Sequence, residues 1–150
     1  DGGFIAETGI FIVKRIRSLN HKATSLKSEV QIVSGLPWFI NVSKRVHNGV
    51  PWIALFLKCD LGTTRGVKWS VGAKWHFRIL SGDGSAYEPE LGGTGDRDLP
   101  EEREGDGEDV FKADPGGSWG WDRVIQVEDL FDPQHNFITY DRIRVEVTIK

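Results

Sequence analysis

From Asp141 to Ile149 the chain reads DRIRVEVTI, with an apolar side chain at every second position from Ile143 onward. Successive side chains of a strand point to opposite faces. Ile143, Val145, Val147 and Ile149 therefore share one face, and Arg142, Arg144, Glu146 and Thr148 the other. A period of two cannot make a helical stripe, which needs apolar residues three and four apart. This segment demands a sheet with one buried face, and it constrains the fold more than any other stretch.

The same rhythm recurs. Residues 10–17 are apolar with basic interruptions, 28–33 alternate, and 38–46 alternate with Trp38, Ile40 and Val42 on one face. Gly35-Leu36-Pro37 reads as a turn. His47-Asn48-Gly49 is a hairpin signal, because both central positions of a type I′ turn need positive φ. Residues 52–59 put Ile53, Leu55, Leu57 and Cys59 on one face and Ala54, Phe56 and Lys58 on the other. Residues 67–80 read as one long strand or two joined by a bend at Gly72. Segments 110–113, 121–127 and 141–149 complete the set, and only Val127 to Phe131 suits a short helix. Short strands separated by turn residues predict an all-β, antiparallel β-sandwich of about eight strands.

The 150 residues suit one domain, 1–150, with a core over about 10–149 and an acidic, glycine-rich loop over about 82–109. Asp1-Gly2-Gly3 at the start and the absence of methionine suggest a domain cut from a longer protein. A lone cysteine, Cys59, makes no internal disulfide and points to a reducing, intracellular setting, cytoplasmic or nuclear. No apolar run approaches the length of a membrane span, so no membrane partner is expected. A net charge of −3 argues against a general nucleic-acid binder. Charge is uneven: Lys14, Arg15, Arg17, Lys22 and Lys27 form a basic stretch, and Asp83 to Asp109 holds eleven acids against Arg97 and Arg103. Such runs are usually solvated loops.

Catalytic chemistry is not legible. His21, His47, His76 and His135 are isolated, none at metal-ligand spacing from another ligand, and no phosphate-loop, nucleophile-elbow or zinc-protease motif is present. Cys59 falls on an inward face and reads as an inert core thiol. Asn41-Val42-Ser43 fits a glycosylation sequon but sits inside an expected strand. No catalytic residue, metal or cofactor is expected.

The aromatic pattern says more. Trp119-Gly120-Trp121 follows the turn Asp114-Pro115-Gly116-Gly117. In a strand the two tryptophans share a face, with bare backbone between them. Such a pair is either a platform for an extended peptide, the glycine admitting a second backbone, or part of a sandwich core. Trp38 and Trp69 fit inward positions. Trp75 shares parity with Trp69, Val71, Phe77 and Ile79, which points it inward as well.

Taken in order, Gly35-Leu36-Pro37-Trp38, Leu55-Phe56-Leu57-Lys58-Cys59, Trp69-Ser70-Val71, Lys74-Trp75-His76-Phe77-Arg78-Ile79-Leu80, Trp119-Gly120-Trp121, Phe137-Ile138 and the run from Asp141 to Val147 resemble the MATH domain, also called TRAF-C, from about Phe11 to Ile149. The resemblance implies an eight-stranded sandwich that binds short linear peptides by strand addition beside the Trp-Gly-aromatic strand. By position it implies a peptide groove of Phe56, Trp75, Phe111, Ser118, Trp119, Gly120 and Trp121. It places Trp75 in the groove, against the parity reading. It also implies a substrate-recruiting adaptor in ubiquitin-linked regulation, resembling the substrate-binding domain of MATH-BTB adaptors, with any homo-oligomer formed through domains absent from this chain. Ser118 stands where many members carry an acid, Gly117 and Asp122 where a degron-binding subgroup carries lysines, and Ala113 where an aromatic is expected. Asp122 disfavours acidic ligands, and Lys112 and Arg123 are the nearby cations in the sequence that oppose it. The alternative is a structural self-association module with its aromatics buried.

Overall fold

The C-terminal alternation becomes a strand whose register organises one sheet of a computed structural model, which describes residues 6–21, 23–61, 69–87, 109–112 and 117–150. Among the described residues the strands are β1 (Glu7–Lys14), β2 (Ser25–Lys27), β3 (Gln31–Val33), β4 (Leu36–His47), β5 (Val50–Cys59), β6 (Ser70–Ala73), β7 (Trp75–Leu80), β8 (Ala86–Tyr87), β9 (Asp109–Lys112), β10 (Trp119–Gln126) and β11 (Arg142–Ile149). A four-residue helix, α1 (Val127–Leu130), follows β10, where the sequence expects it. Two short 3-10 turns, Ile16–Asn20 and Pro133–His135, are too brief to leave a periodic trace in the sequence.

One sheet runs β1-β11-β7-β8 and the other β10-β5-β4-β2, with β3 pairing the start of β4; β6 and β9 form a separate ribbon. Every pairing is antiparallel. This is an all-β antiparallel sandwich. Its core joins the inner faces of both sheets: Phe11, Val13, Phe77, Ile79, Ile143, Val145, Val147 and Ile149 from one, and Trp38, Ile40, Val42, Ile53, Leu55 and Leu57 from the other. The inward parities read from the sequence for β4, β5 and β11 hold, because alternation is a local property of an extended chain.

Asn48 and Gly49 take φ 52° and 80°, as the hairpin signal requires, and they join His47 to Val50. The turn before β4 is shifted from the sequence reading. Ser34 and Gly35 make it, with φ 52° and 78°, while Leu36 and Pro37 already pair with Val33 and Ile32. The break expected at Gly72 falls instead at Lys74. Gly72 pairs with Val110 inside the ribbon. Lys74 exchanges backbone hydrogen bonds with Lys150 at 2.9 and 3.4 Å, so the change of partner sets the break. The loop expected over 82–109 is also corrected. Ala86–Tyr87 form β8 on the edge of the first sheet, Asp109 opens β9, and the intervening 88–108 lie outside the described residues.

Lys14, Arg15, Arg17 and Lys27 of the basic stretch lie on the surface. Lys14 pairs with Glu29 at 3.4 Å and Arg17 with Asp141 at 3.7 Å, and all four side chains are largely exposed. Asn41 sits mid-strand, half-buried and paired to both β2 and β5, a poor place for a glycan.

Candidate functional site

β10 is the terminal strand of the five-stranded sheet and pairs only with β5 among the described residues. Trp119 lies opposite Leu57 and Trp121 opposite Leu55, so the two tryptophans share the inner face with those leucines. Both are half-buried and pack on the rim of the core. Neither tryptophan is fully buried and neither is fully exposed.

Trp75 faces the same rim from the other sheet. It lies opposite Ile149 and points inward, as its parity predicts. As the first residue of β7 it also stands at the end of the core, half-buried. Its ring centroid is 5.0 Å from that of Phe77 and 5.5 Å from that of Trp121, tilted in both cases. Trp75 and Trp121 thereby link β7 of one sheet to β10 of the other.

β9 secures two of the indoles. Trp75 Nε1 donates to Asp109 Oδ2 at 2.6 Å, and Trp119 Nε1 donates to the Val110 carbonyl at 2.7 Å. Further along, the Tyr87 hydroxyl donates to the Val124 carbonyl at 2.9 Å and ties β8 to β10. That carbonyl belongs to an irregular step, in which Asp122, Arg123 and Val124 together face Ala54 between the pairs Trp121–Leu55 and Ile125–Ile53. Such bulges bend a strand and re-aim its side chains.

Three of the residues named for the groove stand apart from the tryptophan rim. Phe111 is fully buried. It pairs with Val71 in the ribbon and meets Trp38 edge-on, centroids 5.0 Å apart at 84°. Its parity in β9 turns it into the core and leaves Val110 exposed, so it supports the rim from beneath and has no surface to offer a ligand. Gly120 is buried as well, opposite Phe56. A Cβ on it would stand 1.9 Å from the Leu55 carbonyl oxygen, so the close approach it permits is that of β5. Phe56 is half-buried on the outer face of the sheet, opposite Asn41 on β4, and not beside the tryptophans. Ser118, also half-buried, precedes β10.

The outer face holds a feature that strand parity hints at but does not assemble. Arg45 on β4 reaches across β5, its guanidinium carbon 5.1 Å from the Phe56 ring centroid. Its Nη1 lies 2.5 Å from Asp122 Oδ1 on β10. Parity puts Arg45, Phe56 and Asp122 on one face. Only the register between three strands, with Arg45 and Asp122 77 positions apart, brings them together.

A family model of the MATH domain matches residues 10–149. The chain belongs to the MATH-domain family. No curated protein matches it. MATH domains are protein-interaction modules, which suits a site built of aromatic rims and a sheet edge. Among the described residues no helix is long and apolar enough to cross a membrane, and no three His, Cys, Asp or Glu side chains gather as metal ligands would.

Cys59 of this MATH domain is buried at the end of β5. Burial pushes its thiol up to about 11, the Asp60 charge adds to the effect, and the Leu61 backbone amide partly opposes it. Near neutral pH the folded domain then carries about a hundredfold less thiolate than a thiol at 9.0. Alkylation followed by mass spectrometry should be slow until urea unfolds the chain; fast modification of the folded domain would count against this burial. The sign of the linkage follows. The protonated thiol contributes its stability in full below about pH 9, and that contribution is lost as pH rises through 11.

Proposed function

We propose that this MATH domain binds short linear peptides in extended form, added as a strand along the outer edge of β10. It would thereby recruit substrates as an intracellular adaptor in ubiquitin-linked regulation. The observation that carries this reading is the position of β10: it ends its sheet, with Trp119 and Trp121 on the rim and Trp75 brought to 5.5 Å from Trp121. A peptide paired there would gain backbone hydrogen bonds for general affinity and present alternate side chains to two surfaces. One set would meet the tryptophan rim. The other would pass over Gly120 and Phe56 on the outer face.

The test is a two-dimensional NMR titration of the six tryptophan indole N–H signals with pools of short peptides, one Ser/Thr-rich and one Pro-rich. The signals of Trp75, Trp119 and Trp121 should move together. Trp121→Ala should weaken binding by about 2 kcal/mol, roughly thirtyfold, if the ring is an anchor. Its amide spectrum should stay dispersed, since the ring is only half-buried. A folded Trp121→Ala domain that binds as tightly as the parent would sink the groove. If no indole moves while the sedimentation mass rises with concentration, the self-association reading takes its place.

A further inference from the structure

Phe56 and Asp122 stand on neighbouring strands, on the outer face of the five-stranded sheet, and the guanidinium of Arg45 lies against both. An aromatic face and a carboxylate converging on one planar cation is the chemistry that recognises arginine. Here the arginine comes from the domain itself. The Arg45 and Asp122 side chains are 47% and 35% exposed, so this ion pair lies in solvent, where such pairs hold weakly and exchange readily. Gly120, opposite Phe56, places no side chain between that ring and the strand edge.

We infer that Phe56 and Asp122 form a seat for an arginine of the bound peptide, and that Arg45 is the internal occupant the ligand displaces. The inference rests on the proposal that a peptide lies along β10. It then names the ligand class: a peptide with a guanidinium at a position facing the outer surface of the sheet. The displaced Arg45 moves into solvent and keeps its charge, so the exchange creates no buried unpaired ion.

The test compares two nonapeptide pools that differ only at one fixed central position, arginine in one and the neutral isostere citrulline in the other. Affinity is measured, and the three rim indole signals and the Arg45 Nε–H signal are followed by NMR. The arginine pool should bind at least about tenfold tighter and should move the Arg45 signal. Asp122→Asn should bring the ratio between the pools close to one. Arg45→Met, which keeps the alkyl packing on Phe56, should tighten the arginine pool several-fold. Equal movement of the indoles by both pools, with equal affinity, would overturn the seat and leave the peptide edge standing. Failure of either pool to move any indole would overturn both.

Discussion

Phe111→Ala should lower the unfolding free energy by about 3–5 kcal/mol, the range for removing a large buried aromatic. The side chain has no exposed surface and sets its ring edge-on against Trp38, itself 1% exposed. Truncation would leave a void where the β6–β9 ribbon closes onto the sandwich, and β9 is also the strand that holds the Trp75 and Trp119 indoles. The expected readout is a lower midpoint in urea denaturation together with a shift of both indole signals in the absence of peptide. A loss under about 1 kcal/mol, accompanied by impaired peptide binding, would return Phe111 to the ligand surface and contradict the burial described above. The contrast with Trp121→Ala separates a support residue from a contact residue.

Gly120→Ala should also destabilise strongly, by about 3 kcal/mol or more, although it adds a single methyl group. The added Cβ would meet the Leu55 carbonyl oxygen at 1.9 Å, the Phe56 Cα at 2.6 Å and the Leu55 carbonyl carbon at 2.8 Å. All three are backbone atoms. β5 is laddered to β4 on its other side from Val50 to Cys59, so it cannot retreat. β10 would have to move instead, lengthening its pairing with β5 from Trp119 to Trp121 and carrying both rim tryptophans with it. Urea denaturation measures the loss, and the spread of the indole signals reports the displacement. A variant within 1 kcal/mol of the parent would show that β10 does not approach β5 so closely.

Several features of the candidate site were legible in the sequence and others were not. Trp119 and Trp121 fall on one face whatever the tertiary structure, because they are two apart in a strand. Trp75 shows the limit of that rule. Its parity points inward, yet it stays only half-buried because β7 begins where the core ends. Phe111 shows the opposite case. Its place beside an acidic, glycine-rich segment offers no sign of burial, and only the pairing of β9 with β6 turns it inward. The Arg45–Phe56–Asp122 arrangement needs the register of three strands at once.

The sequence by itself determined the all-β class, the inward faces of β4, β5 and β11, the Asn48-Gly49 hairpin and the ordered motifs of the family. These depend on side-chain alternation and on local φ preferences, which act over a few residues. The tertiary structure alone decided how deep each aromatic sits, which indole meets which acceptor, and which cation caps Phe56. Parity assigns a side chain to a face of its strand, whereas its depth depends on where the opposing sheet ends, and that is set by contacts between residues far apart in the chain.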